Sequence, residues 1–204
     1  MLSLFLGESY MTSNEFVAGL AEVMGVERTE LATVDRALAK RGFRQIARGR
    51  FRPDITLTEG LLIAVAWAGS KNLTLAADEV ERLENFALSE DEPRNEVETD
   101  FINIFGGERL ELSGRSFVDL LVRVARNLGI GKYEADKIWV SVVKQGGVDI
   151  SFCSGYIRKY PRFMDFNKLE LPVKGRSHSR HNVKVKVQIS GVVLKWIFNV
   201  TEGE

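Results

Sequence analysis

The stretch Thr56-Leu-Thr-Glu-Gly-Leu-Leu-Ile-Ala-Val-Ala-Trp-Ala68 is almost wholly apolar from position 60 onward. Thr56 or Thr58 is suited to cap a helix here, because a threonine hydroxyl accepts a hydrogen bond from a free N–H of the first turn. A helix that is apolar on every side has no face to offer water. We therefore expect residues 60–68 to form a helix buried in a core or in a subunit interface.

Two amphipathic patterns precede this stretch. The first follows Thr12 or Ser13 and stops at Gly25, and the second starts near Thr29 and stops at Gly42. Two helices joined by a short turn that contains glycine are typical of a helix-turn-helix, although such pairs also occur in many all-helical domains. The apolar positions at helical spacing are Phe16, Val17, Leu20 and Val23 in the first helix and Leu31, Val34, Ala37 and Leu38 in the second.

The second helix opens a strongly basic segment, residues 28–52, in a chain whose net charge is zero. This segment carries eight cations and only two anions, Glu30 and Asp35. It ends in the tract Arg44-Gln-Ile-Ala-Arg-Gly-Arg-Phe-Arg52, in which the glycine lets a basic arm bend. Because arginines neutralise phosphates, the segment favours binding to duplex DNA. The alternative is a cationic surface that only faces solvent.

Nine residues of this segment are candidate DNA contacts. Thr33, Arg36 and Lys40, on the polar side of the second helix, are expected to reach base edges or their surroundings in the major groove. The arginines of the arm are expected to bind phosphates or to enter the adjacent minor groove. The whole set is Arg28, Thr33, Arg36, Lys40, Arg41, Arg44, Arg48, Arg50 and Arg52.

The charge reverses downstream, where residues 78–111 contain twelve acidic and three basic side chains. Residues 75–88 have the pattern of an amphipathic helix, and residues 89–99 are acidic, polar and interrupted by Pro93, which is typical of a linker. We therefore divide the chain into a helix-turn-helix domain over 1–88, a linker over 89–99 and a second domain over 100–204. The predicted helix 75–88 places Val80, Leu83, Phe86 and Ala87 inward and Asp78, Glu79, Glu81 and Glu84 outward.

The second domain mixes helical and strand patterns. Ser113 or Ser116 is suited to cap a helix that stops at Gly129, residues 133–145 fit either a helix or a strand, and residues 148–153 alternate as a strand. Residues 183–189 also alternate, and with a turn at Ser190-Gly191 and a strand over 192–200 they predict a β-hairpin with one lysine face. The fold class predicted for the chain is α+β, with an all-helical N-terminal domain and a small antiparallel sheet in the C-terminal domain.

A second basic patch is predicted on a loop and the first strand of this hairpin. It consists of Lys174, Arg176, Arg180, Lys184 and Lys186. Such a patch suits phosphate contacts, and it equally suits an edge strand that lysines protect from aggregation.

Residues typical of catalytic or metal sites are few. His178 and His181 lie in a basic stretch without helical pattern, and Cys153 lies in an alternating apolar run, where a thiol is more often packed than reactive. We therefore expect a protein that is not an enzyme and that binds neither a metal ion nor a cofactor. A single cysteine, no long apolar run and no basic leader predict a cytoplasmic protein that does not associate with a membrane.

Three stretches together carry a resemblance. Residues 20–43, the tract Ala47-Arg-Gly-Arg50 and the run Thr56-Leu-Thr-Glu-Gly-Leu-Leu-Ile-Ala-Val-Ala66 resemble a loosely defined group of phage and prophage proteins, over about residues 16–70. In that group a helix-turn-helix precedes a Gly-Arg-Gly-like basic tract and an apolar helix, and its members look like small DNA-binding regulators of phage or phage-derived gene clusters. The resemblance therefore implies a location in the bacterial nucleoid or in a phage-infected cell. Many members carry more glycines in the tract, so the arm of this chain is expected to be stiffer.

The expected function is therefore a sequence-specific duplex-DNA-binding transcription regulator of phage or phage-derived genes. It would act as a homodimer, because one short helix reads few base pairs, and its second domain would mediate dimerisation or contact the transcription machinery. Two alternatives remain open. One is a DNA-packaging protein similar to a phage small terminase subunit, and the other is an interaction module whose basic patch docks an acidic partner.

Overall fold

A computed structural model describes residues 11–46, 54–85, 116–144, 147–152, 162–165 and 185–203. Four helices occupy the N-terminal part: α1 (Ser13–Met24), α2 (Arg28–Arg41), α3 (Leu57–Gly69) and α4 (Ala76–Glu84). The C-terminal part contains α5 (Phe117–Gly129), the strands β1 (Ile138–Val143), β2 (Val148–Phe152), β3 (Arg162–Asp165) and β4 (Lys186–Ser190), and the helix α6 (Gly191–Thr201). The chain is thus a helix-rich α+β protein with a small antiparallel sheet, as its sequence predicts at this level.

Helix α3 forms the centre of the core. All but two of its thirteen residues are buried, Thr58 and Trp67 being the exceptions. Thr56 and Glu59 form a capping box at its start, so the predicted cap and the predicted burial are both confirmed. It packs against α2 and α4 on one part of its surface and against α5, α6, β1 and β4 on the rest. A helix covered on all sides has to be apolar on all sides.

The four strands pair in the order β3-β2-β1-β4, and every neighbouring pair is antiparallel. Val140 of β1 lies opposite Ile150 of β2 and Ile189 of β4, and all three side chains are buried. Because side chains alternate along a strand, these residues share the face that packs on the helices. Residues 133–145, which fit either pattern in the sequence, form a short 3-10 turn at Ala135–Lys137 followed by β1.

The predicted strand over 192–200 is wrong, because this segment is the helix α6. Its β-branched and aromatic residues favour a strand locally, but the Ser190 hydroxyl accepts a hydrogen bond from the Val192 N–H at 3.1 Å and starts a helix. Val193, Leu194 and Ile197 then face α3 and α5 at helical spacing. The hairpin is therefore absent, and β4 pairs with β1 instead.

The acidic helix predicted over 75–88 is also corrected. Leu75 belongs to a preceding 3-10 turn and its side chain is exposed, and the helix itself is α4. Val80 and Leu83 are buried as expected, whereas Phe86 and Ala87 lie outside the described residues. Glu79, expected on the solvated face, is buried against Gly69 and forms an ion pair with Arg82.

The buried side chains form one cluster that includes residues before position 89 and after position 99. Gly60 of α3 lies where helices of the N-terminal and C-terminal parts meet. A Cβ atom at this position would lie 2.7 Å from the Phe16 ring of α1 and 2.8 Å from Ile197 of α6. Arg126 of α5 adds a paired hydrogen bond to Glu202 just beyond α6. The predicted linker, residues 89–99, lies outside the described residues, so the two-domain division stays a prediction.

Candidate nucleic-acid interface

Helices α1 and α2 pack against each other and are joined by the three residues 25–27. Gly25 has a φ of 68°, a left-handed conformation that residues with a Cβ rarely adopt, and its N–H donates to a carbonyl of the last turn of α1. The Val26 N–H donates to the Ala21 carbonyl at 3.0 Å. These bonds end α1 sharply, and α2 starts after only two further residues.

The packing of α1 and α3 fixes which side of α2 faces solvent. Leu31, Val34 and Leu38 are fully buried and lie on one side of α2. Residues three or four apart share a face of a helix, so Thr29, Thr33, Arg36 and Lys40 form a stripe on the opposite side. Thr33 is half-buried and the other three are exposed. We call these four residues the outward stripe.

Both acidic residues of α2 are bonded inside the fold. The indole N–H of Trp67 in α3 donates to Glu30 Oε2 at 2.8 Å. Asp35 is buried and forms an ion pair with Arg44, and the Ser13 hydroxyl donates to its Oδ2 at 3.4 Å. The exposed positions of α2 are Arg28, Thr29, Arg36, Lys40 and Arg41, so its solvent-facing surface is positively charged.

Arg44, predicted as a DNA contact, lies in the ion pair with Asp35. The two side chains are only 13% and 10% exposed. Burial raises the pKa of Asp35 above its usual range, although Arg44 and Ser13 act in the opposite direction. Breaking such a pair would leave a buried charge, so Arg44 is committed to the fold and does not belong to the surface set.

Arg41, the next predicted contact, bridges α2 and α4. Its guanidinium donates to Asp78 at 3.2 Å and also bonds Glu81. These carboxylates raise its pKa, Glu81 contributing most. All three side chains remain about half exposed, so the contact is a surface pair. It draws Arg41 toward α4 and away from the outward stripe.

Arg28, Arg36 and Lys40 remain exposed on α2 as the sequence predicts. No carboxylate of the described ranges lies within ion-pair distance of any of them. Five cations within residues 28–46 were predicted to contact DNA. These three lie on the exposed surface of α2, and Thr33 lies beside them.

The remaining predicted contacts of the arm, Arg48, Arg50 and Arg52, lie outside the described residues. The structure does describe both ends of this tract. The backbone N–H of Gln45 donates to Glu59 Oε1 at 2.7 Å, and that of Thr56 donates to Glu59 Oε2 at 2.9 Å. One buried carboxylate therefore holds the chain where it leaves α2 and where it enters α3. The sequence predicts Thr56 or Thr58 as the cap of this helix and carries no local signal for the bond between Glu59 and Gln45.

The second basic patch is mostly outside the described part, which includes only Lys186 of its five residues. Lys186 begins β4 and is exposed. Lys174, Arg176, Arg180 and Lys184, with His178, His181 and Cys153, lie in ranges that the structure does not describe. Within the described residues, no cluster of three His, Cys, Asp or Glu side chains is arranged to hold a metal ion.

Among the crevices on the surface of the described residues, one has a volume of about 560 Å³ and another of about 430 Å³. The first lies between the start of α3 and the polar side of α5, where Asp119 caps α5 and Arg126 is paired with Glu202. The second lies at the junction of α3 and α4, where Asp78 and Glu79 are paired with arginines. Asp78 and Arg126 thus take part in contacts between elements of the fold, and Glu79 and Asp119 form bonds within or at the start of their own helices.

Comparison of the chain with models of known protein families, with curated proteins and with solved structures finds no match. None of the helices in the described residues is both long enough and apolar enough to cross a bilayer.

Proposed function

We propose that this protein is a sequence-specific duplex-DNA-binding transcription regulator, and that α2 is the helix that enters the major groove. The observation that carries the proposal is the outward stripe with its neighbour Arg28. These residues present two hydroxyls and three cations that form no ion pair within the described part of the chain, and both acidic residues of α2 are bonded on its other sides. A DNA-binding helix needs this distribution, because a carboxylate facing the duplex would be repelled by phosphates.

The dimensions of α2 suit this role. An α-helix with its side chains is about 10–12 Å across, and the major groove of B-DNA is about 12 Å wide. In the proposed arrangement Arg36 reaches toward a base edge, Lys40 lies near the bases and contacts the adjacent phosphate, and Arg28 contacts the backbone at the beginning of the helix. Arg48, Arg50 and Arg52 extend the contact to phosphates or the minor groove, an assignment that rests on the sequence alone.

A homodimer follows from the size of the site. Because α2 has fourteen residues, it can contact only a few base pairs, whereas useful specificity needs two half-sites about one helical turn apart. The C-terminal part is proposed to mediate dimerisation or to contact the transcription machinery. The assignment to phage or phage-derived genes rests on the resemblance of residues 16–70.

One contact favours a second candidate function, docking of an acidic protein. Arg41 already binds two carboxylates of α4, which demonstrates that α2 cations can pair with an acidic helix surface. An acidic partner would then bind the outward stripe in place of DNA.

Fluorescence anisotropy with labelled random duplex DNA at low salt tests the two candidates together. We expect the full chain to bind the duplex with micromolar affinity or better, on the order of non-specific protein–DNA complexes. An equal charge concentration of polyglutamate should compete only weakly, because its carboxylates lack the spacing of a phosphate backbone. Absence of duplex binding, with tight binding of labelled polyglutamate in the same assay, would replace the DNA function by the acidic-partner function.

A further inference from the structure

The side chain of Arg36 is held on its own helix by two hydrogen bonds. Its Nε–H donates to the Ala32 carbonyl at 3.0 Å, and one Nη2–H donates to the Thr33 hydroxyl at 3.3 Å. The Thr33 hydroxyl in turn donates to the Thr29 carbonyl at 2.8 Å, which orients its lone pairs toward Arg36. The exposed guanidinium is therefore fixed in place although it lies at the surface.

These contacts use one particular edge of the guanidinium. The group carries five N–H donors in a plane. The Nε–H and the neighbouring Nη2–H form the side edge, and both are bonded to α2. The end edge, made of one N–H from each terminal nitrogen, points away from those acceptors. It remains available as a fork of two parallel donors.

We infer that Arg36 reads a guanine in the major groove through its end edge, and that Thr33 positions Arg36 without contacting a base. This inference rests on the proposed DNA-binding function and assigns its specificity. Guanine is the base that offers two adjacent acceptors, O6 and N7, to such a fork. Thr33 was predicted from the sequence as a base or near-base contact, but its hydroxyl is already engaged by Thr29 and Arg36.

Positioning matters because arginine loses considerable side-chain freedom when it binds. A guanidinium already held at two points loses less of this freedom on meeting the base, so affinity for the correct base pair rises. The same restraint makes the other bases poorer partners, because the fork cannot turn to fit them. Adenine presents one acceptor and one donor in the major groove, thymine one acceptor and cytosine one donor. Lys40 lies one turn further along and is a point charge, which suits phosphate or a less specific contact.

The test starts from duplexes selected from a random library by the full chain. In the selected site, each guanine is replaced in turn by 7-deazaguanine, which lacks the N7 acceptor. We expect one guanine per half-site whose replacement weakens wild-type binding about tenfold, because one of the two hydrogen bonds of the fork is lost while the O6 acceptor remains. The Arg36→Ala variant should bind less tightly and be insensitive to that replacement, and Arg36→Lys should retain only part of the sensitivity.

Thr33→Val and Thr33→Ser separate positioning from general stability. Valine has nearly the shape of threonine without the hydroxyl, whereas serine keeps the hydroxyl. The readout is the ratio of affinities for the selected site and for its 7-deazaguanine form. Thr33→Val should bring this ratio close to one at the one guanine, and Thr33→Ser should keep the wild-type ratio. A merely structural role of Thr33 would lower affinity for specific and random DNA alike.

Two results would overturn the inference while leaving DNA binding intact. One is a selected site in which no 7-deazaguanine replacement matters, and the other is full guanine sensitivity in Thr33→Val. Absence of any duplex binding by the wild-type chain would instead overturn both the inference and the function on which it rests.

Discussion

At the scale of single residues, the cations within residues 28–46 differ in whether they face solvent or form an ion pair with a carboxylate. Arg28, Arg36 and Lys40 face solvent, whereas Arg44 is held by the buried Asp35 and Arg41 is drawn to α4. The sequence alone gives the number of positive charges in residues 28–52, but it does not give the direction in which each side chain points. Asp35 carried a usable signal, because it lies on the apolar side of α2 beside Leu31, Val34 and Leu38. A carboxylate in that position requires a cation inside the fold.

The pair Asp35–Arg44 gives the first prediction. Replacing Asp35 by Leu leaves the Arg44 charge buried without a partner, and unfolding in urea should show a loss of about 3–5 kcal/mol. The double variant Asp35→Leu with Arg44→Met should recover most of this loss, because no buried charge remains. If Asp35→Leu cost less than about 1 kcal/mol, the pair would have to be solvated and Arg44 would again be a candidate DNA contact.

At the scale of elements, caps and helical spacing made most helices predictable. The Thr56 and Ser116 capping boxes and the glycine stops of α1 and α2 are local signals, and the structure contains all of them. Helix α6 was not predictable in this way. Its Val192, Trp196 and Phe198 favour a strand. The Ser190 cap starts the helix, and packing against α3 and α5, which are distant in sequence, stabilises it.

Gly60 gives the prediction at this scale, since it is where α1, α3 and α6 meet. In Gly60→Ala the new methyl group would overlap Phe16 and Ile197, at 2.7 and 2.8 Å. We expect a net loss of about 1–3 kcal/mol in urea unfolding, although alanine is the better helix former. Adding Phe16→Leu should cost less in the Gly60→Ala protein than in the wild type, because it relieves the overlap. Strict additivity of the two changes would contradict this packing.

At the scale of the whole molecule, the N-terminal helices and the C-terminal part share one core. The surface of α3 that faces α5, α6, β1 and β4 is apolar, and α6 also packs on α1. The helices that present the outward stripe are therefore supported by residues more than a hundred positions away. An acidic, proline-containing segment in the sequence suggests a boundary between two domains, but it carries no information about what packs across that boundary.

The shared core predicts the behaviour of a truncated chain. A fragment of residues 1–88 would expose the side of α3 that α5 and α6 cover, so it should bind a hydrophobic dye and unfold without a cooperative thermal transition. The full chain should unfold cooperatively and bind little dye. A fragment that folds cooperatively by itself would establish that residues 1–88 form an independent domain.

The dependence of DNA affinity on salt tests the central claim most directly, that the outward stripe of α2 faces the duplex. The double variant Arg36→Ala with Lys40→Ala should have a shallower slope of log affinity against log salt. The slope should change by about one unit if only Lys40 contacts phosphate, and by up to about two units if both cations do. The matched control Lys71→Ala with Lys132→Ala removes two exposed cations elsewhere and should leave the slope unchanged. Equal slopes for wild type and the α2 variant, or a change confined to the control, would contradict the account.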